Sequence, residues 1–144
     1  MILEWEVIPL IRVTAAIILE NNRVLIAQRR ATDQVALKWE FPGGKIEPGE
    51  TPEQCLVREI KEELDLDILI EGYFATSTYT YEHGTIELLA YLASCDQKQQ
   101  PRSLSHAQLQ WVEISALVDY DFAPADIPLV NKLRRDLDQS IDQN

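Results

Sequence analysis

The sequence predicts one α+β domain in which strands outnumber helices. A β-branched apolar run spans residues 12–19, and polar and apolar side chains alternate through YFATSTYTY at residues 73–81. Helical spacing of apolar residues occurs in two segments, at about 52–64 and about 125–138. With 144 residues the chain can bury one substantial core but not two, so we expect a single domain over residues 1–144.

The N-terminal part is predicted to consist of strands joined by a short turn. Residues 1–19 are β-like, with alternation in LEWEV at 3–7 followed by a run at 12–19 that is typical of a buried strand. Polar residues 20–23 predict a turn, after which residues 24–27 return as a second strand. The apolar N-terminal strand is also a candidate for pairing with a second copy of the chain.

A polar loop and a glycine pair follow these strands. The loop QRRATDQVALKW, residues 28–39, carries Arg29 and Arg30. The next segment, WEFPGG, predicts a strand end that leads into a turn at Gly43-Gly44.

A short helix after the glycines has well-defined start signals. Thr51 can cap its N-terminus, Pro52 suits the first helical position, and Gln54 can close a capping box onto Thr51. An apolar stripe should face the core, and its members are Leu56, Ile60 and Leu64, with Val57 beside them.

The second half of the chain predicts a hairpin, a last strand and a closing helix. Strands at 67–81 and 85–95 are joined by a turn at 82–84, and residues 96–105 form a polar loop. A short strand at 109–114, a helical turn at 115–118 and a helix at about 125–138 complete the domain. The closing helix is expected to place these residues inward: Ile127, Val130 and Leu133 or Leu137. Residues 139–144 form a polar tail that we expect to be flexible.

Composition limits the possible partners. A formal net charge of −11 disfavours a nucleic-acid polymer or an anionic membrane surface, but still permits a small anionic substrate near a metal ion. The chain opens without a charged-then-apolar leader and contains no apolar run long enough to span a bilayer, so we expect a cytoplasmic protein. Cys55 and Cys95 lack metal spacing and predict reduced thiols.

One face of the first helix concentrates negative charge. Glu59, Glu62 and Glu63 stand at i, i+3 and i+4, where like charges destabilise a helix by about 0.2–0.5 kcal/mol per pair. Lys61 points to another side, and we expect Arg58 to pair with only one carboxylate at a time. A divalent cation such as Mg²⁺ or Mn²⁺ would relieve the repulsion, while a solvated acidic face remains the alternative.

The spacing around these carboxylates resembles the Nudix box, G-x5-E-x7-R-E-U-x-E-E-x-G-U, in which U is aliphatic. Here the box covers residues 44–66, with Gly44, Glu50, Arg58-Glu59 and Glu62-Glu63 at the fixed positions. Asp65 replaces the last glycine of the pattern, which would end the helix in a left-handed conformation. Asp is among the few residues that tolerate this conformation.

The resemblance extends to the MutT-type branch of the family through the flanking segments WEFPGGKIEPGETPEQ and QWVEISALVDYDFAPADIPLVNKL. It implies an α/β/α sandwich with a mixed β-sheet. It also implies Mg²⁺-dependent hydrolysis of a nucleoside triphosphate to the monophosphate and pyrophosphate, with Mn²⁺ as a substitute cation. This is nucleotide sanitation of the 8-oxo-dGTP or CTP type, a DNA repair function. By the same resemblance the partner is a small nucleotide, and the protein is a monomer or a homodimer.

The resemblance also assigns roles to residues of the box. Glu59, Glu62 and Glu63 would bind the metal together with the Gly43 carbonyl oxygen. Arg58 would orient these carboxylates or the loop rather than contact the substrate. Glu50 would brace the loop near the helix N-terminus, and a metal contact is its alternative role.

Residues outside the box are candidates for contacting the substrate. Arg29 could clamp a phosphate or be an ordinary exposed loop residue. The segment from Glu40 through Phe41 and Pro42 to Gly43 would line the substrate, although Phe41, like Trp39, is more typical of a core. Asp126 could read the base: an ionised Asp favours the cytosine amino group, whereas a protonated Asp could read an oxidised guanine. Its alternative is a helix N-terminal acid.

One carboxylate of the family pattern is missing. Ser105, followed by His106, occupies the position where many MutT-like enzymes carry a further Glu. His106, Glu82 or Glu87 could substitute for it, although a single loop histidine is usually just solvated.

Two other functional classes remain open. Nucleotide sugars or dinucleoside polyphosphates are alternative substrates within the hydrolase class. A nucleotide-binding module without catalytic activity is the alternative outside it.

Overall fold

The fold was described from a computed structural model, which describes residues 8–142. Its elements in chain order are β1 (Leu10–Glu20), β2 (Arg23–Gln28), β3 (Trp39–Glu40), α1 (Pro52–Leu64), β4 (Ile68–Tyr81), β5 (Gly84–Cys95), β6 (Gln108–Glu113) and α2 (Ile127–Asp142). Short 3₁₀ helices at Ile114–Asp119 and Pro124–Asp126 connect β6 to α2. The predicted order of strands and helices is therefore confirmed, while the alternating segment 3–7 lies outside the described residues. Helix α2 continues to Asp142, into the stretch predicted as a tail.

The six strands in the described part of the chain form one mixed sheet. Strand β1 lies between β2 and β5, parallel to β5 from the pair Leu10–Thr85 to the pair Ile18–Ala93. The predicted hairpin is confirmed, because β4 pairs antiparallel with β5 beside the turn at Glu82-His83. One edge of β1 pairs with β5, and the other is covered by β2 and by the 42–46 segment. Pairing of the N-terminal strand with a second copy stays a prediction, because residues 1–7 lie outside the described part of the chain.

The two helices cover opposite faces of this sheet. Alternate residues of β1 divide between the faces: Ala16 and Ile18 belong to the cluster with α1, whereas Ala15 and Ile17 belong to the cluster with α2. This division is the period-2 pattern of a strand buried on both sides. The predicted α/β/α sandwich is confirmed.

The termini of α1 match their sequence signals. Thr51 Oγ1 accepts from Gln54 N at 3.1 Å, and Gln54 Oε1 accepts from Thr51 N at 2.9 Å, which completes the capping box. At the other end Asp65 has φ 52° and ψ 44°, the left-handed conformation expected for the residue that replaces the box glycine.

Two predicted core positions are wrong. Val57 is 41 % exposed because it lies on the Lys61 side of α1, and Cys55 is buried instead. Ile127 is 44 % exposed, and Leu129 is buried with Val130 and Leu133. The 3₁₀ helix before α2 sets the rotation of that helix, which local periodicity does not specify.

The Gly43-Gly44 segment is extended rather than a turn, so this prediction is also wrong. Thr14 N donates to Gly44 O, and Ala16 N donates to Pro42 O, both at 2.8 Å. A Cβ atom on Gly43 would lie 1.9 Å from Thr14 O. The glycines therefore allow close approach to β1 rather than an unusual backbone angle.

Two expectations drawn from composition can also be compared with the structure. Cys55 and Cys95 are free thiols, as predicted. None of the helices within residues 8–142 is both long and apolar enough to cross a membrane.

We expect Asp65→Gly to raise the free energy of unfolding by about 0.5–1 kcal/mol, because glycine removes the steric cost of the left-handed conformation. The ion pairs of Asp65 with Lys61 (3.4 Å) and Arg102 (3.6 Å) are exposed and should contribute little. Urea denaturation measures the change, with Asp65→Ala as the destabilised control. A glycine variant less stable than wild type would show that the ion pairs matter more than the backbone.

Candidate active site

The carboxylate side chains on the acidic face of α1 differ in their exposure to solvent. The Glu59 side chain is 15 % exposed and the Glu62 side chain is 59 % exposed. Glu59 lies against the Gly43-Gly44 segment, where a Cβ atom on Gly44 would come within 2.2 Å of Glu59 Cδ. Gly44 thus leaves the space that the Glu59 carboxylate occupies.

Arg58 bonds three carboxylates at once, which corrects the expectation that it pairs with only one. Its Nε and Nη2 donate to the two oxygens of Glu50 at 3.0 and 2.6 Å. Its Nη1 donates to Glu59 Oε1 at 2.9 Å and to Glu62 Oε2 at 3.2 Å. The planar guanidinium makes this possible because it directs five N–H groups in a fixed geometry.

Glu50 connects this cluster to the loop before α1. Its Oε1 accepts from Glu47 N at 2.8 Å in addition to Arg58. The hydrogen bonds from Arg58 and from the Glu47 backbone lower the pKa of Glu50 to about 2. Glu50 is therefore ionised at neutral pH and ties the loop to α1, the bracing contact that the sequence suggested.

Glu63 has a different environment from the other acidic residues of α1. Its Oε2 is buried and has no hydrogen-bond partner. Burial raises its pKa to about 7, while the influence of His106 acts in the opposite direction. An unpartnered buried carboxylate oxygen is costly to leave unsatisfied, so this atom is a candidate ligand for a cation.

The fit of these residues to a divalent cation follows from their donor atoms. Within residues 8–142, no group of three or more His, Cys, Asp or Glu side chains is close enough together to hold a metal ion. The unpartnered Glu63 oxygen nevertheless suits a hard cation that binds oxygen. The metal-binding roles of Gly43 and the three glutamates stay predictions.

A cleft of about 550 Å³ opens beside the N-terminal half of β1. Six residues predicted to contact the metal or the substrate line this cleft. They are Arg29, Glu40, Phe41, Gly43, Glu63 and Asp126. Arg29 Nη1 donates to Glu40 Oε1 at 2.8 Å, and Arg29 Nε donates to Gln34 O at 2.6 Å. Arg29 is therefore fixed in the cleft wall and is not a freely solvated loop residue.

His106 is buried, which corrects the expectation of a solvated loop histidine. Its side chain is 5 % exposed, and its Nε2 lies 2.9 Å from Glu40 Oε2. Leu104 N donates to Glu63 O, and Ala107 N donates to Gln28 O, at 3.1 and 2.9 Å. These bonds hold the 104–107 segment between the end of α1 and β2.

Asp126 also lines the cleft, at the end of the 3₁₀ helix that directly precedes α2. It is 5 % exposed and its Oδ2 accepts from Phe41 N at 2.9 Å. Burial, and then the charge of Glu40, raise the pKa of Asp126 well above its usual value. The carboxyl therefore favours the neutral form, which can donate as well as accept a hydrogen bond.

The structure separates the remaining predicted site residues from the cleft. Arg58, Glu59 and Glu62 on α1, with Glu50 in the preceding loop, form a cluster outside the cleft lining, and Pro42 is buried. The link from His106 to Glu40 was missed at the sequence level because the two residues are 66 positions apart. A ring pair at the rim was also missed: Tyr81 and His83 stack with centroids 5.2 Å apart.

Known proteins resemble this chain over most of its length. Residues 10–133 match the family model described as "NUDIX domain". The chain is similar to a CTP pyrophosphohydrolase of Escherichia coli (38 % identity; 84 % of this chain, 89 % of the relative). It is also similar to an 8-oxo-dGTP diphosphatase of the same organism (37 %; 81 % and 89 %). The solution structure of MutT from methicillin-resistant Staphylococcus aureus 252 superposes with a TM-score of 0.74 (37 %; 90 % and 99 %).

We expect Glu63→Gln to stabilise the metal-free protein at pH 8 by about 1–3 kcal/mol and to change its stability little at pH 4. The pKa of Glu63 is about 7 in the folded protein and 4.5 ordinarily. Between pH 4.5 and pH 7 the folded protein therefore binds more protons than the unfolded protein does. The free energy of unfolding of wild type should therefore fall as pH rises through this window. Urea denaturation in a chelator measures both proteins, and an equal effect of the variant at pH 4 and pH 8 would contradict the assignment.

Proposed function

We propose that this chain, which belongs to the NUDIX domain family of hydrolases, converts a nucleoside triphosphate to the monophosphate and pyrophosphate. The observation that carries the proposal is the acidic face of α1 and its unpartnered Glu63 oxygen, in a cleft whose lining also includes buried Asp126. Glu63 offers an oxygen ligand for a cation on phosphates, and Asp126 offers a polar group for a base.

The substrate class is supported by the relatives and by the cleft. The names of two similar enzymes give CTP and 8-oxo-dGTP as their substrates. A cleft of about 550 Å³ falls in the range of small-molecule sites, which run to roughly 300–1,000 Å³. The net charge of −11 disfavours a nucleic-acid polymer as partner. We propose a cytoplasmic enzyme acting on free nucleotides, as a monomer or a homodimer.

At the phosphate end, the family's use of divalent cations leads us to propose Mg²⁺ here, with Mn²⁺ able to substitute. Glu59, Glu62, Glu63 and the Gly43 carbonyl oxygen would hold it. A cation bound there supplies charge neutralisation for the departing pyrophosphate. Arg58 orients Glu59 and Glu62, and Glu50 fixes Arg58 to the loop, so the carboxylates are positioned before substrate arrives.

Arg29 and Asp126, which both line the cleft, are the groups proposed to bind the substrate, Arg29 at a phosphate and Asp126 at the base. Arg29 has one nitrogen donating to Glu40, which leaves the guanidinium with further N–H groups for a phosphate oxygen. Phe41 is 3 % exposed, and its backbone N–H donates to Asp126. The segment from Glu40 to Gly43 therefore links Asp126, the proposed base-binding residue, to Gly43, a proposed metal ligand. Neutral Asp126 would donate to a base oxygen, whereas an ionised Asp126 would accept from an amino group.

The alternatives make different predictions for turnover. Nucleotide sugars and dinucleoside polyphosphates share the diphosphate but need room for a second large group. This chain covers 89 % of each of the two Escherichia coli relatives and aligns with them as one compact unit. A catalytically inactive module would bind nucleotide without releasing pyrophosphate.

The proposal is tested by assaying pyrophosphate release with Mg²⁺ over canonical, oxidised and methylated triphosphates, a nucleotide sugar and a dinucleoside polyphosphate. We expect turnover of triphosphates and at least an approximately hundredfold loss in Glu59→Gln, since a metal ligand supplies several kcal/mol of charge stabilisation. Glu53→Gln, the same change at an exposed position of α1, is the matched control. Tight nucleotide binding without turnover would favour the inactive module.

The protonation of Asp126 predicts how Asp126→Asn changes substrate preference. The amide can keep the bond to Phe41 N and still donate into the cleft, as a neutral carboxyl does. We expect kcat/KM for an oxo-purine triphosphate to stay within about threefold of wild type in Asp126→Asn and to fall about tenfold or more in Asp126→Ala. Selective loss of CTP turnover in the Asn variant would indicate an ionised Asp126 that accepts from the cytosine amino group.

A further inference from the structure

Three buried side-chain nitrogen or oxygen atoms in the described part of the chain have no hydrogen-bond partner, and all belong to residues that line the cleft. They are Glu63 Oε2, Ser105 Oγ and His106 Nδ1. Leaving one such atom unsatisfied costs about 1–3 kcal/mol. Three of them on one cleft wall indicate a place built for a ligand rather than for packing.

The hydrogen bond of His106 fixes which ring nitrogen is free. Glu40 Oε1 accepts from Arg29 Nη1, and a carboxylate can only accept hydrogen bonds. His106 Nε2, 2.9 Å from Glu40 Oε2, must therefore carry the hydrogen of this bond. In the neutral imidazole the lone pair then lies on Nδ1, the unpartnered atom.

This arrangement is the one that orients histidines as metal ligands. A metal-binding imidazole commonly donates its second N–H to a carboxylate, which fixes the tautomer and makes the ligating nitrogen more basic. Glu40 has this position behind His106, and Arg29 in turn holds Glu40 at 2.8 Å. The side chain of His106 is 5 % exposed, so the ring cannot turn freely into solvent.

His106 is brought to Glu63 by backbone contacts at the end of α1. Leu104 N donates to Glu63 O at 3.1 Å, and Arg102 N donates to Leu64 O at 2.8 Å. Both bonds satisfy carbonyl groups that the last turn of a helix leaves free.

We propose that His106 is a metal ligand that acts through Nδ1 together with Glu63, and that the site therefore binds imidazole-favouring divalent cations such as Co²⁺ and Zn²⁺. The proposal rests on the proposed function, because it concerns the metal end of the same site. Carboxylate and carbonyl oxygens alone suit Mg²⁺, whereas an added imidazole raises the affinity for later first-row ions. The Ser105 hydroxyl also lines the cleft and has no partner.

The test is metal binding to the full chain without nucleotide. The protein has two histidines, so a nitrogen-15 spectrum of the imidazole rings separates His106 from His83. Titration with Zn²⁺ should shift the Nδ1 resonance of His106 and leave His83 unchanged. Calorimetry with Co²⁺ and with Mg²⁺ then compares wild type with His106→Gln, whose amide can still donate to Glu40 but has no nitrogen at the Nδ1 position.

We expect His106→Gln to weaken Co²⁺ binding about tenfold or more and Mg²⁺ binding by less than about threefold. His83→Gln, which removes the other imidazole, should bind both ions as wild type does. Equal losses for the two ions, or a His106 ring that stays unshifted up to millimolar Zn²⁺, would overturn the proposal. The spectrum of wild type decides the question even if the Gln variant does not fold. Because no readout uses turnover, a failure here is distinct from absence of pyrophosphate release.

Discussion

The bonds from Arg58 to three carboxylates make an acidic helix face compatible with a folded domain. Glu50, Glu59 and Glu62 place three negative charges in one region. Without Arg58, their mutual repulsion would favour separation of the loop from α1. A single guanidinium bonds all three within 3.2 Å. The same contacts fix the Glu59 and Glu62 side chains relative to the loop before α1, so one side chain both offsets the repulsion and orders the carboxylates.

Burial distinguishes the fourth carboxylate of this region. Glu63 has no arginine partner, and desolvation raises its pKa to about 7. The protein thus carries a destabilising group at the point where the proposed function needs a strong ligand. This is the relation expected where a site is optimised for binding at some cost to the stability of the free protein.

A second series of contacts connects Arg29, His106 and Asp126, all of which line the cleft. Arg29 holds Glu40, Glu40 holds His106, and the next residue after Glu40 donates its backbone N–H to Asp126. The short strand β3 and the residue after it therefore support both His106 and Asp126. Trp39, within β3, and Phe41, directly after it, are buried, which gives this segment the rigidity that positioning requires.

The sequence alone determined the order of elements, the capping box and left-handed end of α1, and the carboxylate pattern, because these depend on neighbours within a few residues. Tertiary structure decided the rest. It made Gly43-Gly44 an extended segment against Thr14, exposed Val57 and Ile127, and let Arg58 reach Glu50. It also buried His106 against Glu40, a contact between residues 66 positions apart. Local periodicity specifies which residues share a face, but the packing of the whole chain decides where that face points and which distant group meets it.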